Sequence, residues 1–208
     1  MDLTRLTTCL IAVLLSVHAI AQEPPKTATA AVAEDKAEVL EQKAANNAPV
    51  SAAPAAAAIT RSEVQAVDPA GTAAVDDAIT CLSRTIYWEA KGEGAADMEG
   101  VANVVLNRVG KDGFPATICA VVKQGADKKA CQFSWWCDGR TDQVQEETRY
   151  TVAKEIARKA LNQQLTDRTA GALYFHDRNV HPAWAKEYLK TAETQKFVFY
   201  RPRDGKAK

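Results

Sequence analysis

Histidine is scarce in this 208-residue chain, with three in all, and no His-Glu-x-x-His segment occurs. A helical zinc-hydrolase site therefore has little to be built from. Phosphate-loop motifs, Rossmann glycine patterns and internal repeats are also missing, which removes support for nucleotide-binding and repeat architectures. Net charge is zero, and the balance is a cancellation between an acidic stretch at 22–75 and a mildly basic one at 76–208. Nothing in that balance asks for a nucleic-acid partner, whereas a mildly basic domain suits an anionic polymer. The longest apolar run, Leu10 to Val17, falls far short of the roughly 20 residues that span a bilayer. It follows Arg5 and precedes Ala19-Ile20-Ala21, whose small residues suit a signal-peptidase site. Met1 to Ala21 is accordingly expected to be a cleaved signal, leaving an exported chain with no integral membrane segment.

Residues 22–75 lack aromatic side chains altogether and are rich in Ala, with five prolines. Such a composition predicts a disordered Ala/Pro-rich tether, because it buries too little to offset chain entropy. All Trp, Tyr and Phe lie between Leu82 and Arg201, so one catalytic-sized domain is expected over 76–205. After loss of Cys9 the chain keeps Cys81, Cys119, Cys131 and Cys137, an even number that reads as two disulfides in an exported protein. Three pairings are open. The short loop favours Cys131 with Cys137, leaving Cys81 with Cys119.

The expected class is mainly α with a small β element (α+β). Ile79, Leu82 and Ile86 mark a first helix ending near Lys91, and Met98, Val101, Ala102, Val105 and Val109 mark a second, with Asp97 as its N-cap. A third is expected from Asp142 to about Asn162, capped by Asp142 and Gln145, with Val152, Ile156 and Ala160 on one face. Pro182 opens a fourth, through about Thr191. Ala172 to His176 and Lys196 to Tyr200 read as a strand pair.

Glu89 carries the chemical interest. Three- and four-residue steps along the first helix lead from Ile79, Leu82 and Ile86 to Glu89, which puts a carboxyl on the apolar stripe. Desolvation and the negative end of the helix dipole both favour its protonated form, which a general acid needs. Glu93 follows in a glycine-flanked turn. Asn103 and Asn107 share a helix face suited to amide or hydroxyl recognition. The segment Cys131 to Gly139 sets two tryptophans between two cysteines, a platform on which sugar faces could stack. Asp138 reads either as a second carboxylate or as a turn residue beside Gly139. His176 belongs to a tyrosine-rich stretch, and no metal or other cofactor is implied.

Taken in order, several segments resemble the SleB-like cell-wall hydrolases, which include the spore cortex-lytic enzymes. They are Cys81-Leu82-x-x-x-Ile86-Tyr87-x-Glu89-Ala90-x-Gly92-Glu93, Val101-Ala102-Asn103-Val104-Val105-Leu106-Asn107-Arg108-Val109, Phe114-Pro115-x-Thr117-Ile118-Cys119 and Cys131-Gln132-Phe133-Ser134-Trp135. Ala172-Leu173-Tyr174-x-His176, Pro182-x-Trp184-Ala185 and Phe199-Tyr200-Arg201-Pro202 complete the set. The resemblance implies a lysozyme-like catalytic domain acting on peptidoglycan, with Glu89 as the catalytic glutamate. Around it, substrate would meet Tyr87, Glu93, Asn107, Gln132, Phe133, Ser134, Trp135, Tyr174 and His176. This chain departs from the family's frequent pattern at Ala96-Asp97-Met98 and at Phe197, where a histidine is common. The implied reaction is cleavage of the β-1,4 bond between N-acetylmuramic acid and N-acetylglucosamine, most simply by a lytic transglycosylase, which needs one carboxylate. The alternatives are a muramidase-type hydrolase, an N-acetylmuramoyl-L-alanine amidase, and a non-catalytic peptidoglycan-binding protein. The partner is a glycan strand in the periplasm or cell envelope, and whether an activator is needed is left open.

Overall fold

The computed structural model describes residues 26–46, 52–128 and 130–203; the expected signal segment lies outside them. Six α-helices and a three-stranded sheet follow one another in the order helices α1 to α6, then strands β1 to β3. At the centre is α3 (Ala78–Ala90), buried from Ile79 through Tyr87 and started by the Asp77 side chain, which accepts from the Thr80 N–H. A helix buried on nearly every side must be enclosed by others. α4 (Ala95–Arg108), α5 (Ile118–Val122) and α6 (Glu147–Leu161) all pack on it.

The stretch expected to be a tether also joins this core, in two helices, α1 (Ala28–Ala45) and α2 (Arg61–Ala66). On α1, Ala30, Ala33, Ala37 and Leu40 are buried, and Ile59, Val64 and Val67 follow them into the core. Spacing of three and four was present, but alanines carry too little hydrophobicity for the stripe to stand out, and their small size lets helices approach closely. Polar contacts fasten the segment. Asn162 exchanges hydrogen bonds with the backbone of Ile59, its side chain accepting from the N–H and donating to the C=O at 2.9 Å each. Asp68, in the left-handed region, accepts from Arg84 of α3, from Tyr150 of α6 and from the N–H groups of Thr72 and Ala73.

Two helix starts differ from expectation because the expected caps are engaged elsewhere. α4 starts at Gly94, while the Asp97 carboxylate accepts from the Thr194 hydroxyl at 2.6 Å and the Lys196 N–H at 2.8 Å. α6 begins five residues late, at Glu147. The Asp142 carbonyl accepts from Arg84 and Trp88, and the N–H groups of Gln145 and Glu146 donate to the Tyr87 hydroxyl. Tyr150, Ala153, Ile156 and Ala160 form its inner face; Val152 is exposed.

The expected fourth helix is a short 3-10 turn, Ala183–Glu187, followed by a strand. Pro182 is extended, and Tyr188, Leu189 and Thr191 favour the sheet. β1 (Tyr174–Asp177), β2 (Leu189–Glu193) and β3 (Phe197–Arg201) lie antiparallel in the order β1-β3-β2. Register pairs Tyr174 with Tyr200 and Phe175 with Phe199. Strand alternation then separates two aromatic faces. Phe175, Phe197 and Phe199 form an inner cluster, and Tyr174, His176 and Tyr200 share the outer face. Gly100 of α4 makes room for Phe199, whose ring would lie 2.5 Å from a Cβ there. Disulfides join Cys81 to Cys119, tying α3 to α5, and Cys131 to Cys137.

Candidate active site

Glu89 occupies the last turn of α3, one position before its final residue, and Gly92 turns the chain away with φ +90°. The stripe beneath it is fully buried at Ile79, Leu82 and Ile86. Burial raises the carboxyl from the ordinary 4.5 to about 7, and the positive charge of Arg108 pulls it partly back. Half its population is therefore protonated near neutrality, the condition under which a carboxyl can both give and take a proton.

Arg108 is the residue that reading the sequence missed. It ends α4 and is 3% exposed. Its Nε donates to the Leu173 carbonyl at 2.7 Å, and its guanidinium lies over the rings of Phe114, Phe133 and Tyr174 at 5.1, 5.2 and 5.6 Å. Burial brings it down to about 10, against the opposing pull of Tyr174 and Glu89. A signal was available: Met98, Val101, Val105 and Arg108 continue one stripe by steps of three and four, the pattern that singled out Glu89.

On the outer face of the sheet, Tyr174 packs against Tyr188 at 4.8 Å and Trp184 at 6.0 Å. His176 stacks on Tyr200, and its Nε2 lies 3.0 Å from the Tyr200 hydroxyl. Its Nδ1 is 2.8 Å from the Asp177 carbonyl. Trp184, Tyr188 and Tyr200 thus extend the half-buried aromatic surface that Tyr174 and His176 were expected to form. Through Tyr174 this surface reaches Arg108.

Several expected substrate contacts are structural. Tyr87 is fully buried, and its hydroxyl accepts two backbone N–H groups, so it cannot meet a glycan. Phe133 is buried beneath Arg108 and is part of its cage. Trp135 is 5% exposed and belongs to the core, whereas Trp136 is half-buried with Lys123 over its ring. Trp136 also lines an open groove of about 520 Å³ with Arg84, Asp142 and Lys123, which Glu89 does not line. The Asn107 amide donates to Asp167, Thr169 and the Ala172 carbonyl, holding the loop before β1, and Asn103 accepts from the Arg168 N–H. Gln132 and Ser134 are exposed. Glu93 is half-buried, 3.7 Å from Lys196, which also pairs with Asp177. Asp138 accepts from the Arg140 N–H at 2.8 Å, the turn role. Among the described residues no three His, Cys, Asp or Glu side chains converge to hold a metal.

Residues 92–200 match the family model described as Cell Wall Hydrolase. The chain belongs to the cell wall hydrolase family. Glu89 lies three residues before the matched span, and Arg108 and the whole sheet face up to Tyr200 lie within it. Two solved structures are similar. The catalytic domain of the Bacillus cereus SleB protein is 27% identical, with TM-score 0.48, covering 59% of this chain and 88% of that one. The catalytic domain of the germination-specific lytic transglycosylase SleB from Bacillus anthracis is 26% identical, with TM-score 0.48, covering 59% and 93%. No curated protein sequence matches the chain.

Proposed function

We propose that this cell wall hydrolase cleaves the glycan strands of peptidoglycan as a lytic transglycosylase, with Glu89 as its acid and base. One observation carries the reading: Glu89 is a carboxyl held near 7 by burial, and the only charge that acts on it belongs to a cation, Arg108. Glycosidases that hydrolyse or retain through two carboxylates need the second about 5 Å or roughly 6.5–9.5 Å away. Glu93, the nearest in sequence, is drawn to Lys196 instead. With one carboxyl, the substrate supplies the nucleophile. Glu89 gives its proton to the bridging oxygen as the bond to muramic C1 breaks, and the resulting carboxylate takes the proton of the C6 hydroxyl. O6 then closes on C1, giving a 1,6-anhydro product with Glu89 again protonated and no water consumed.

The outer aromatic face of Tyr174, Trp184, Tyr188, His176 and Tyr200 suits the apolar faces of pyranose rings. Two disulfides support export to an oxidising compartment, the periplasm or cell envelope. The test is digestion of purified sacculi by the wild type and Glu89→Gln, with fragments identified by mass spectrometry. Anhydromuramyl ends are expected, reduced by about 10²–10⁴-fold in the variant, the usual weight of a general acid. Reducing ends would replace this reading with a hydrolase, free stem peptides with an amidase, and binding without release with a non-catalytic protein.

A further inference from the structure

Arg108 is a cation that the fold walls in without an anion at ion-pair distance. Its Nε is satisfied by Leu173, but its Nη1 is buried and meets no hydrogen-bond acceptor among the described residues. Such a charge is costly unless something offsets it. Three rings supply part of the offset through their negative faces. The remaining partner is Glu89, the one carboxyl whose charge acts on Arg108, just as Arg108 is the one charge that acts on Glu89.

Other charges around α3 are committed elsewhere. On α3 itself, Arg84 pairs with Asp68, and Asp77 caps the helix. From α6, Tyr150 donates to Asp68, Lys154 to the Gln65 and Val67 carbonyls, and Arg149 pairs with Glu146. From α4, Asp97 holds Thr194 and Lys196, and Glu99 pairs with Arg168. From α1, Glu41 accepts from the Ile118 N–H that starts α5, and Lys36 pairs with Glu63. α5 and the 3-10 turn Ser134–Trp136 contain no titratable side chain outside the disulfide. Lys91 lies over Tyr87 and Trp88, and Lys196 sits between Glu93 and Asp177.

We propose that Arg108 is a positioning residue that sets the ionisation of Glu89, so that one carboxyl can give its proton and recover it in a single cycle. Burial alone serves the first half-reaction, because it keeps the proton on Glu89. It opposes the second, which begins from the carboxylate. A fixed cation beside that carboxylate steadies the anion formed when the proton leaves, and the aromatic cage keeps water from screening it. The inference rests on the reading of Glu89 as acid and base.

The test follows kcat/KM against pH on sacculi for the whole chain and for Arg108→Met, Arg108→Gln and Arg108→Lys. Gln keeps a donor for the Leu173 carbonyl, so the neutral pair separates charge from packing. In both neutral variants the alkaline limb moves up by about one pH unit, the effect of removing an opposite charge, and Lys restores it. An unmoved limb with a uniform loss of rate would reduce Arg108 to a structural prop and overturn the proposal. A second readout needs no Arg108 variant and no activity: the guanidinium ¹⁵N resonances of Arg108 should titrate near the Glu89 midpoint in the wild type and stay flat in Glu89→Gln. Resonances that are flat in both proteins overturn the proposal even if the neutral variants do not fold. If sacculi yield no Glu89-dependent fragments while the resonances titrate, the reading of the reaction fails and the coupling stands.

Discussion

Glu89→Gln keeps the shape of the side chain and removes its titration, so it converts the burial argument into a stability measurement. The wild-type carboxyl is raised from 4.5 to about 7, chiefly by burial. Between those values the folded chain binds more protons at this site than the unfolded chain. The stabilisation is therefore full below the unfolded value and is lost as pH rises through the folded one. The gap between the two values corresponds to roughly 3 kcal/mol. Glu89 keeps partial solvent access, so water recovers some of this, and a loss of about 1–3 kcal/mol is expected. Urea unfolding of both proteins at about pH 5 and about pH 8.5 isolates the effect, since every other titrating group cancels in the difference. The variant should gain about 1–3 kcal/mol on the wild type between the two conditions. If the difference between the proteins is the same at both pH values, Glu89 is not held protonated and the physical basis for its role is gone.

Activity on sacculi should decline as pH rises above about 7 in the wild type, because the donor form of Glu89 is lost; a pH–rate profile checks this. Ala37→Leu should cost about 1–3 kcal/mol in a urea melt, because Ala37 is fully buried on α1, whereas in a tether it would be neutral. Gly100→Ala should destabilise by a similar amount, about 1–3 kcal/mol, although Ala favours helix, since its Cβ would press into the Phe199 ring. Removing the disulfide from Cys81 to Cys119 should cost about 4 kcal/mol on loop-entropy grounds, and removing the one from Cys131 to Cys137 about 2, because they close loops of 38 and 6 residues. Paired Cys→Ala substitutions and thermal melts would rank them, and equal losses would contradict the loop argument.

The parts legible in the sequence were those where hydrophobicity is strong at each position. α3 and α4 announced themselves through Ile, Leu, Val and Met, and the strands through Phe and Tyr. α1 did not, because Ala30, Ala33 and Ala37 contribute by being small, and smallness is invisible until a neighbour is known. Caps failed for a related reason. Asp97 and Asp142 sit where local rules want an N-cap, but Asp97 binds the β2–β3 turn and the Asp142 backbone receives α3 side chains across long stretches of chain. The tryptophan pair was misread because the more buried of the two, Trp135, lies in the family motif, while the half-buried Trp136 follows it.

Glu89 and Arg108 obey one rule and differ in sign. Each continues an apolar stripe into the last turn of its helix, where the backbone presents the negative end of the dipole. For Glu89 that end adds to burial and favours the neutral acid. For Arg108 it opposes burial and favours the charged form. The same backbone feature thus helps keep the carboxyl protonated and the guanidinium ionised, and a buried acid beside a permanent cation is the combination that one-carboxyl chemistry needs. A search for function along a buried helix should therefore ask which stripes end in a charge, and whether two such ends meet.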